Sequence, residues 1–310
     1  RKSTHTGGQK IGEIIPVSHI YRDFLLEQAS SLAEEKLKLV IDCAHGATYE
    51  MAPFVFKAAG FEAKIINAAP DGKNINRDSG STNPELLKDE VISRQADMGL
   101  AFDGDGDRVI FADHDGHILD GDHSLYAISK YLLETDTDFD KVVVGTVMGN
   151  LGLEKALAEM GMTYIRTPVG DRHVYREMKR RKAAVGGEQS GHTILGNLLR
   201  TGDGMLTAVY FLKALSYLGL SPTDVFQDLT LYPQVTKNIP VREKKDMETW
   251  DRLKKEIDDF KRKHGKHSRI LIRYSGTEPK IRVMIESEYN SVIKENLEKF
   301  EDLIKSEIGG

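Results

Sequence analysis

Short β-branched runs alternate with segments of helical spacing from residue 38 to about residue 218, and that rhythm restricts the fold more than any single residue does. Lys38–Asp42, Ala63–Asn67 and Met98–Phe102 have the length and composition of strands. Glu50–Ala59 and Pro84–Arg94 between them predict helices, the first closed by Gly60. Strand, helix, strand in succession predicts parallel pairing with helices laid over the sheet. Val109–Ala112 and His117–Leu119 predict a hairpin turning at Asp115-Gly116. The rhythm then repeats: helix from about Ser124 to Glu134, strand Lys141–Val147, helix Leu151–Met160, strand Tyr164–Arg166, helix Gly170–Arg181, strand Ala183–Gly186 and a long helix Gly204–Leu218. From about Tyr232 the pattern changes to a strand-like entry, a charged helix Lys244–Lys263, strands Arg269–Arg273 and Ile281–Glu286, and a last helix from Val292. The expected class is therefore α/β, with two mixed-sheet α/β domains at 13–118 and 119–230, distant structural repeats of one another, and a smaller α+β domain at 231–310. The polar, glycine-containing stretch 1–12 is expected to be a connector leading in from another domain.

Composition narrows the class of partner. A net charge of −5 without a basic stripe argues against nucleic acid. No apolar run reaches the length of a membrane span, and no secretory pattern stands in the first residues, so a cytoplasmic protein is expected. The single cysteine, Cys43, follows the apolar run Leu39-Val40-Ile41; it excludes an internal disulfide framework and is expected to be a buried, inert thiol.

The segment richest in chemistry is Asp103-Gly104-Asp105-Gly106-Asp107-Arg108, directly after a predicted strand. Carboxylates at alternate positions face one way on near-extended backbone, and the intervening glycines let the loop curl further. Asp103, Asp105 and Asp107 can thus converge on one hard cation; Mg2+ suits a few carboxylates that leave room for a phosphate oxygen. An EF-hand loop would require Gly where Arg108 stands and a bidentate Glu where His114 stands. A solvated acidic turn is the remaining alternative, opposed by the position of the loop at the carboxyl edge of a predicted parallel sheet, where ligands bind.

Three further loops carry polar groups. Gly187-Glu188-Gln189-Ser190-Gly191-His192 offers a carboxylate and a hydroxyl two residues apart, suited to neighbouring sugar hydroxyls, with an imidazole nearby; by itself such a motif is more often a plain polar loop. Thr167-Pro168-Val169-Gly170-Asp171-Arg172 opens a helix, where Asp171 is either a ligand contact or a plain cap. Arg273-Tyr274-Ser275-Gly276-Thr277-Glu278-Pro279, with Arg282 beyond it, combines arginine forks with a nest of backbone N–H groups suited to a phosphate; the alternative is a Ser/Gly/Thr turn beside an exposed arginine.

The stretch Leu100–Arg108 resembles the metal loop of the α-D-phosphohexomutase superfamily. Thr167–Arg172, Gly187–His192 and Arg273–Pro279 resemble, respectively, that family's sugar-contact, sugar-recognition and phosphate loops, in the family's chain order. Asp71–Asn76, Gly80–Pro84 and Gln189 are similar to the phosphoglucosamine branch, and Tyr274 stands at a variable position. The resemblance covers the chain from about Gly8 onward. It implies reversible intramolecular phosphoryl transfer between the 6- and 1-positions of glucosamine phosphate through a bisphosphorylated intermediate. It further implies Mg2+ on Asp103, Asp105 and Asp107, charge stabilisation by Arg108 and proton movement by His192. Gly170, Asp171, Glu188 and Ser190 would contact the sugar, and Arg273, Ser275, Gly276, Thr277 and Arg282 the distal phosphate. A hinge is expected near residues 228–242, because the sugar must be held in two orientations. The family's first domain carries a Thr-Ala-Ser-His-Asn-Pro-type loop whose serine is phosphorylated; these residues contain no such loop, so that domain is expected as a partner from the same protein, and a homodimer would commonly engage it too. The alternatives are a phosphomannomutase/phosphoglucomutase and a non-catalytic sugar-phosphate-binding fragment.

Overall fold

The computed structural model describes residues 18–32, 36–276 and 278–309; the expected connector at 1–12 lies outside them. Helix α1 (Ser18–Ala29) leads into strand β1 (Lys38–Asp42), helix α2 (Met51–Ala58), strand β2 (Glu62–Ile66), helix α3 (Pro84–Arg94) and strands β3 (Met98–Phe102), β4 (Val109–Asp113) and β5 (Ile118–Leu119). The sheet runs β2-β1-β3-β4-β5, with β1 parallel to β2 and β3, and the β3–β4–β5 meander antiparallel. Period-two alternation divides its faces. Leu39, Ile41, Leu100 and Phe102 face one core, while Val40 and Ala101 meet Leu87 and Val91 of α3 on the other.

The second unit follows with helix α4 (Gly121–Thr135), strand β6 (Val142–Thr146), helix α5 (Leu151–Glu159), strand β7 (Thr163–Thr167), helix α6 (Asp171–Arg181), strands β8 (Val185–Gly187) and β9 (Thr193–Leu195), and helices α7 (Gly204–Leu218) and α8 (Pro222–Asp228). Its sheet order is β7-β6-β8-β9, parallel except for the terminal β8–β9 hairpin. The two sheets share one continuous core, which α7 joins: Phe211 on that helix stacks on Phe111 of β4, ring centroids 4.2 Å apart. Each such ring, fully buried, removes enough apolar area from water to contribute roughly 1.5–3 kcal/mol.

The last unit has its own core. Strand β10 (Gln234–Pro240), helix α9 (Asp251–His264), strands β11 (Ser268–Tyr274) and β12 (Lys280–Ser287) and helix α10 (Asn290–Ile308) form an antiparallel sheet, order β10-β12-β11, packed against α10 through Ile293, Leu297, Phe300 and Ile304. The charged helix expected from Lys244 starts only at Asp251. Asp246 instead caps a short 3-10 turn at Met247–Thr249, and Trp250 leaves helical angles (φ −92°, ψ 77°), its side chain buried in the core. Two helices escaped the sequence reading: α1, and α8, whose Ser221-Pro222-Thr223-Asp224 start is a capping box. Among the described residues no single helix is long and apolar enough to cross a membrane.

Candidate active site

The acidic loop leaves β3 at the carboxyl edge of the parallel strands, and its own backbone closes it. The N–H groups of Gly106 and Arg108 donate to Asp103 Oδ1 (3.1 and 3.2 Å), curling the loop so that carboxylate oxygens of Asp103, Asp105 and Asp107 lie within 4.8 Å of one another. Gly106 has φ +77°, which a side chain there would resist. Like charges this close repel by roughly 3 kcal/mol per pair at an effective dielectric near 20. Asp103 registers the crowding: burial first, and then the charge of Asp107, pushes its carboxyl up to about 7. Asp107 Oδ1 is buried without a hydrogen-bond partner, and Arg108 Nε stands 3.6 and 3.7 Å from Asp107 and Asp103. An all-oxygen set, mutual repulsion and an orphaned carboxylate oxygen together fit a hard divalent cation.

A second acidic group, Asp113, Asp115 and His117, is equally compact but has another task. Both oxygens of buried Asp113 are engaged, one by the N–H groups of Asp115 and His117, the other by His117 Nδ1 and the Thr223 hydroxyl. It ties the β4–β5 turn to α8.

The Gly187–His192 segment is the turn of the β8–β9 hairpin, and the structure brings it to the metal loop. Arg108 and His192 form an isolated antiparallel bridge, and Val109 N–H donates to Gly191 O (3.2 Å). Glu188 Oε1 accepts the N–H of Gly170 (2.9 Å), so the Gly187–His192 and Thr167–Arg172 loops are fastened together. Asp171 is exposed; its carboxylate takes the N–H of Arg172 (2.7 Å), and Gly170 occupies the cap position without a side-chain bond. Arg108, Thr146, Met148, Val169, Glu188 and Ser190 face a cavity of about 530 Å³.

His192, the residue expected to move a proton, has both ring nitrogens engaged. Its ring is buried, and Nε2 accepts the N–H of Gly202 (3.2 Å). The proton therefore sits on Nδ1, which donates to Asp107 Oδ2 (3.1 Å). With both nitrogens engaged, the imidazole orients a carboxylate of the metal loop. Behind it lies a segment the sequence reading passed over. Gly204 N–H donates to Gly106 O (2.9 Å), and Asp203 caps α7 and accepts from Tyr21 of α1 (2.8 Å). A Cβ on Gly204 would stand 2.5 Å from Arg108 O, so only glycine allows α7 to approach the loop this closely. The available signal was Gly202-Asp203-Gly204 at the start of an apolar helix.

The expected phosphate loop lies in the last unit. Arg273 and Arg282 are directly opposed on β11 and β12, and Arg282 Nε is buried without a hydrogen-bond partner. Ser275 is buried, its N–H bonded to Lys280 O, and Lys244 Nζ reaches Ser275 O (3.1 Å). Gly276 has open space at its Cβ, and Thr277 lies outside the described residues.

The chain is similar to known proteins over most of its length. Residues 18–116 match the model for phosphoglucomutase/phosphomannomutase alpha/beta/alpha domain II, 120–232 that for domain III, and 237–303 that for the C-terminal domain. The chain belongs to the phosphoglucomutase/phosphomannomutase family of phosphohexomutases. Within it, relatives of this chain include phosphoglucosamine mutases: one from Thermus thermophilus is 45% identical over 278 residues, 90% of this chain and 62% of the relative. Another, from Caldicellulosiruptor bescii, is 39% identical over 308 residues, 98% of this chain and 69% of the relative. The chain thus spans about three-fifths of the length of several curated relatives, 60% in one from Hydrogenovibrio crunogenus. In fold it is similar to Aspergillus fumigatus N-acetylphosphoglucosamine mutase, solved with GlcNAc-6P and magnesium (TM-score 0.77, 19% identity, 96% of this chain and 72% of that one). It is also similar to a family protein from Burkholderia thailandensis (TM-score 0.74, 22% identity, 92% and 64%).

Proposed function

We propose that this chain forms the cation-, sugar- and phosphate-binding part of a phosphoglucosamine mutase, interconverting glucosamine 6-phosphate and glucosamine 1-phosphate. The observation that carries the reading is the Arg108–His192 bridge, which joins a three-carboxylate loop to a Glu188/Ser190 loop on the wall of one cavity. In this reading 13–118, 119–230 and 231–310 are the working units, and the setting is the cytoplasm, where a free buried thiol such as Cys43 persists.

Asp103, Asp105 and Asp107 would hold Mg2+, which when bound supplies Lewis-acid polarisation of a phosphoryl oxygen. His192 keeps Asp107 turned toward that point, and Arg108 neutralises charge at the cavity mouth. Glu188 and Ser190 orient the sugar hydroxyls beside Gly170 and Asp171. Arg273, Ser275, Gly276, Thr277 and Arg282 clamp the phosphate that is not reacting. Phosphoryl transfer gains most from such positioning and charge neutralisation. The donor phosphoserine belongs, in this proposal, to a further domain of the same protein, and a homodimer would use that domain.

The test is a mutase assay of the full-length protein, its donor-serine domain included, with Mg2+, a hexose bisphosphate activator, and glucosamine, glucose and mannose 6-phosphates in parallel. Preference for glucosamine is expected. Preference for mannose or glucose would replace the reading by phosphomannomutase/phosphoglucomutase, and binding without turnover would make the chain a sugar-phosphate-binding module. Asp105→Ala is expected to weaken Mg2+ at least tenfold by titration calorimetry; unchanged affinity would remove the metal assignment.

A further inference from the structure

The turn from β6 into α5, residues 147–151, is held from both sides, by the last unit as well as by the middle one. Arg269 on β11 donates to Val147 O (2.5 Å) and Gly149 O (2.9 Å), and Gln234 at the start of β10 reaches Met148 O (3.3 Å). Glu286 on β12 accepts the N–H of Leu151 (2.5 Å). From the middle unit, Arg166 donates to the same Gly149 O (2.6 Å), and Asp122 accepts the N–H of Asn150 (2.9 Å). Asn150 closes the set by bonding both the N–H and the carbonyl of Tyr232 in the expected hinge.

Arg269 and Glu286 face each other across β11 and β12 and pair at 2.6 Å. Glu286 has no exposed surface, so removing its partner strands a buried charge. The other side of the same turn is functional. Thr146 and Met148 line the cavity that Glu188 and Ser190 face. Packed turns of this kind have discrete positions and do not deform continuously, so seating at one side selects the shape at the other.

We propose that Arg269 and Glu286 are positioning residues that, through turn 147–151, make the sugar cavity depend on how the phosphate-binding unit is seated. Neither side chain touches the cavity; both act on the backbone that carries Met148. The contact lies beside the hinge, so it serves as the pivot about which the last unit turns while the sugar subsite stays registered to it. This inference rests on the sugar-phosphate reading of the cavity.

The experiment compares glucosamine 6-phosphate with inorganic phosphate by titration calorimetry, in the wild-type chain and in Arg269→Gln, with hydrogen exchange at Leu151 measured alongside. Inorganic phosphate needs only the last unit; the sugar phosphate needs both. The expected result is at least a tenfold loss of sugar-phosphate affinity, inorganic phosphate within twofold of wild type, and faster exchange at Leu151. Arg269→Lys keeps Glu286 paired but gives up one of the two carbonyl bonds; it is expected to recover part of the loss, and it carries the same comparison where Arg269→Gln does not fold. Faster exchange with unchanged sugar-phosphate affinity would overturn the coupling, as would equal loss of both ligands, which would place the effect inside the last unit. A wild-type chain that binds glucosamine 6-phosphate no better than inorganic phosphate would overturn the cavity reading and the coupling with it.

Discussion

Cys43 lies just past β1, its N–H on Ile66 O (3.2 Å), and burial pushes its thiol up to about 12. Because the folded state keeps the proton that the unfolded chain releases near pH 9, stability is unaffected below that pH and falls as pH rises from about 9 toward 12. The thiol is expected to resist an aromatic disulfide reagent at pH 8 until denaturant unfolds the chain; rapid reaction of the native protein would contradict its burial. This behaviour was legible in the run Leu39-Val40-Ile41, as the metal carboxylates were legible in alternate aspartates, since in both cases the cause lies within a few residues. His192 shows where such reading ends. Its proton is assigned by Gly202 and its partner is Asp107, 85 residues away, and no local spacing announces either.

Among elements, α7 does most to connect fold and site. Its N-terminus is capped by Asp203, its first residue bonds the metal loop, and its middle stacks Phe211 on Phe111. A methyl group at Gly204 would meet Arg108 O at 2.5 Å and Gly106 O at 2.9 Å, both backbone atoms that cannot rotate away. Gly204→Ala is therefore expected to displace the metal loop, lowering Mg2+ affinity at least tenfold by calorimetry while far-UV circular dichroism stays unchanged; full retention of affinity would show that the loop does not depend on this contact. The strands and most helices followed the sequence rhythm closely, with α3 and α7 at their expected ends. The start of α9 did not, because burying Trp250 outweighs the helical preference of the charged residues before it.

At the scale of the whole molecule, two cores are separate: one spans both α/β units and the other belongs to the last unit alone. The single tryptophan, Trp250, is buried in the second, so its fluorescence reports that unit specifically. A unit of this size buries a smaller fraction of its surface than the larger pair. Unfolding in urea is expected to give a fluorescence transition completed at lower denaturant than the loss of far-UV signal, and coincident transitions would mean that the pivot at turn 147–151 makes the cores one cooperative body.

What the sequence by itself determined is whatever depends on near neighbours: the α/β rhythm, the change of style after residue 230, and the polar loops at 103–108, 167–172, 187–192 and 273–282 as contiguous units. Periodicity and contiguous motifs carry that information because the groups involved are joined by a few bonds. Only the tertiary structure decided which loops meet. The Arg108–His192 bridge, the seat of α7 on Gly106 and the seat of Arg269 on turn 147–151 join residues tens to more than a hundred positions apart. Many pairings are compatible with the same local pattern; the one observed is selected by the burial of Phe111 against Phe211 and by the need to satisfy the buried charge of Glu286.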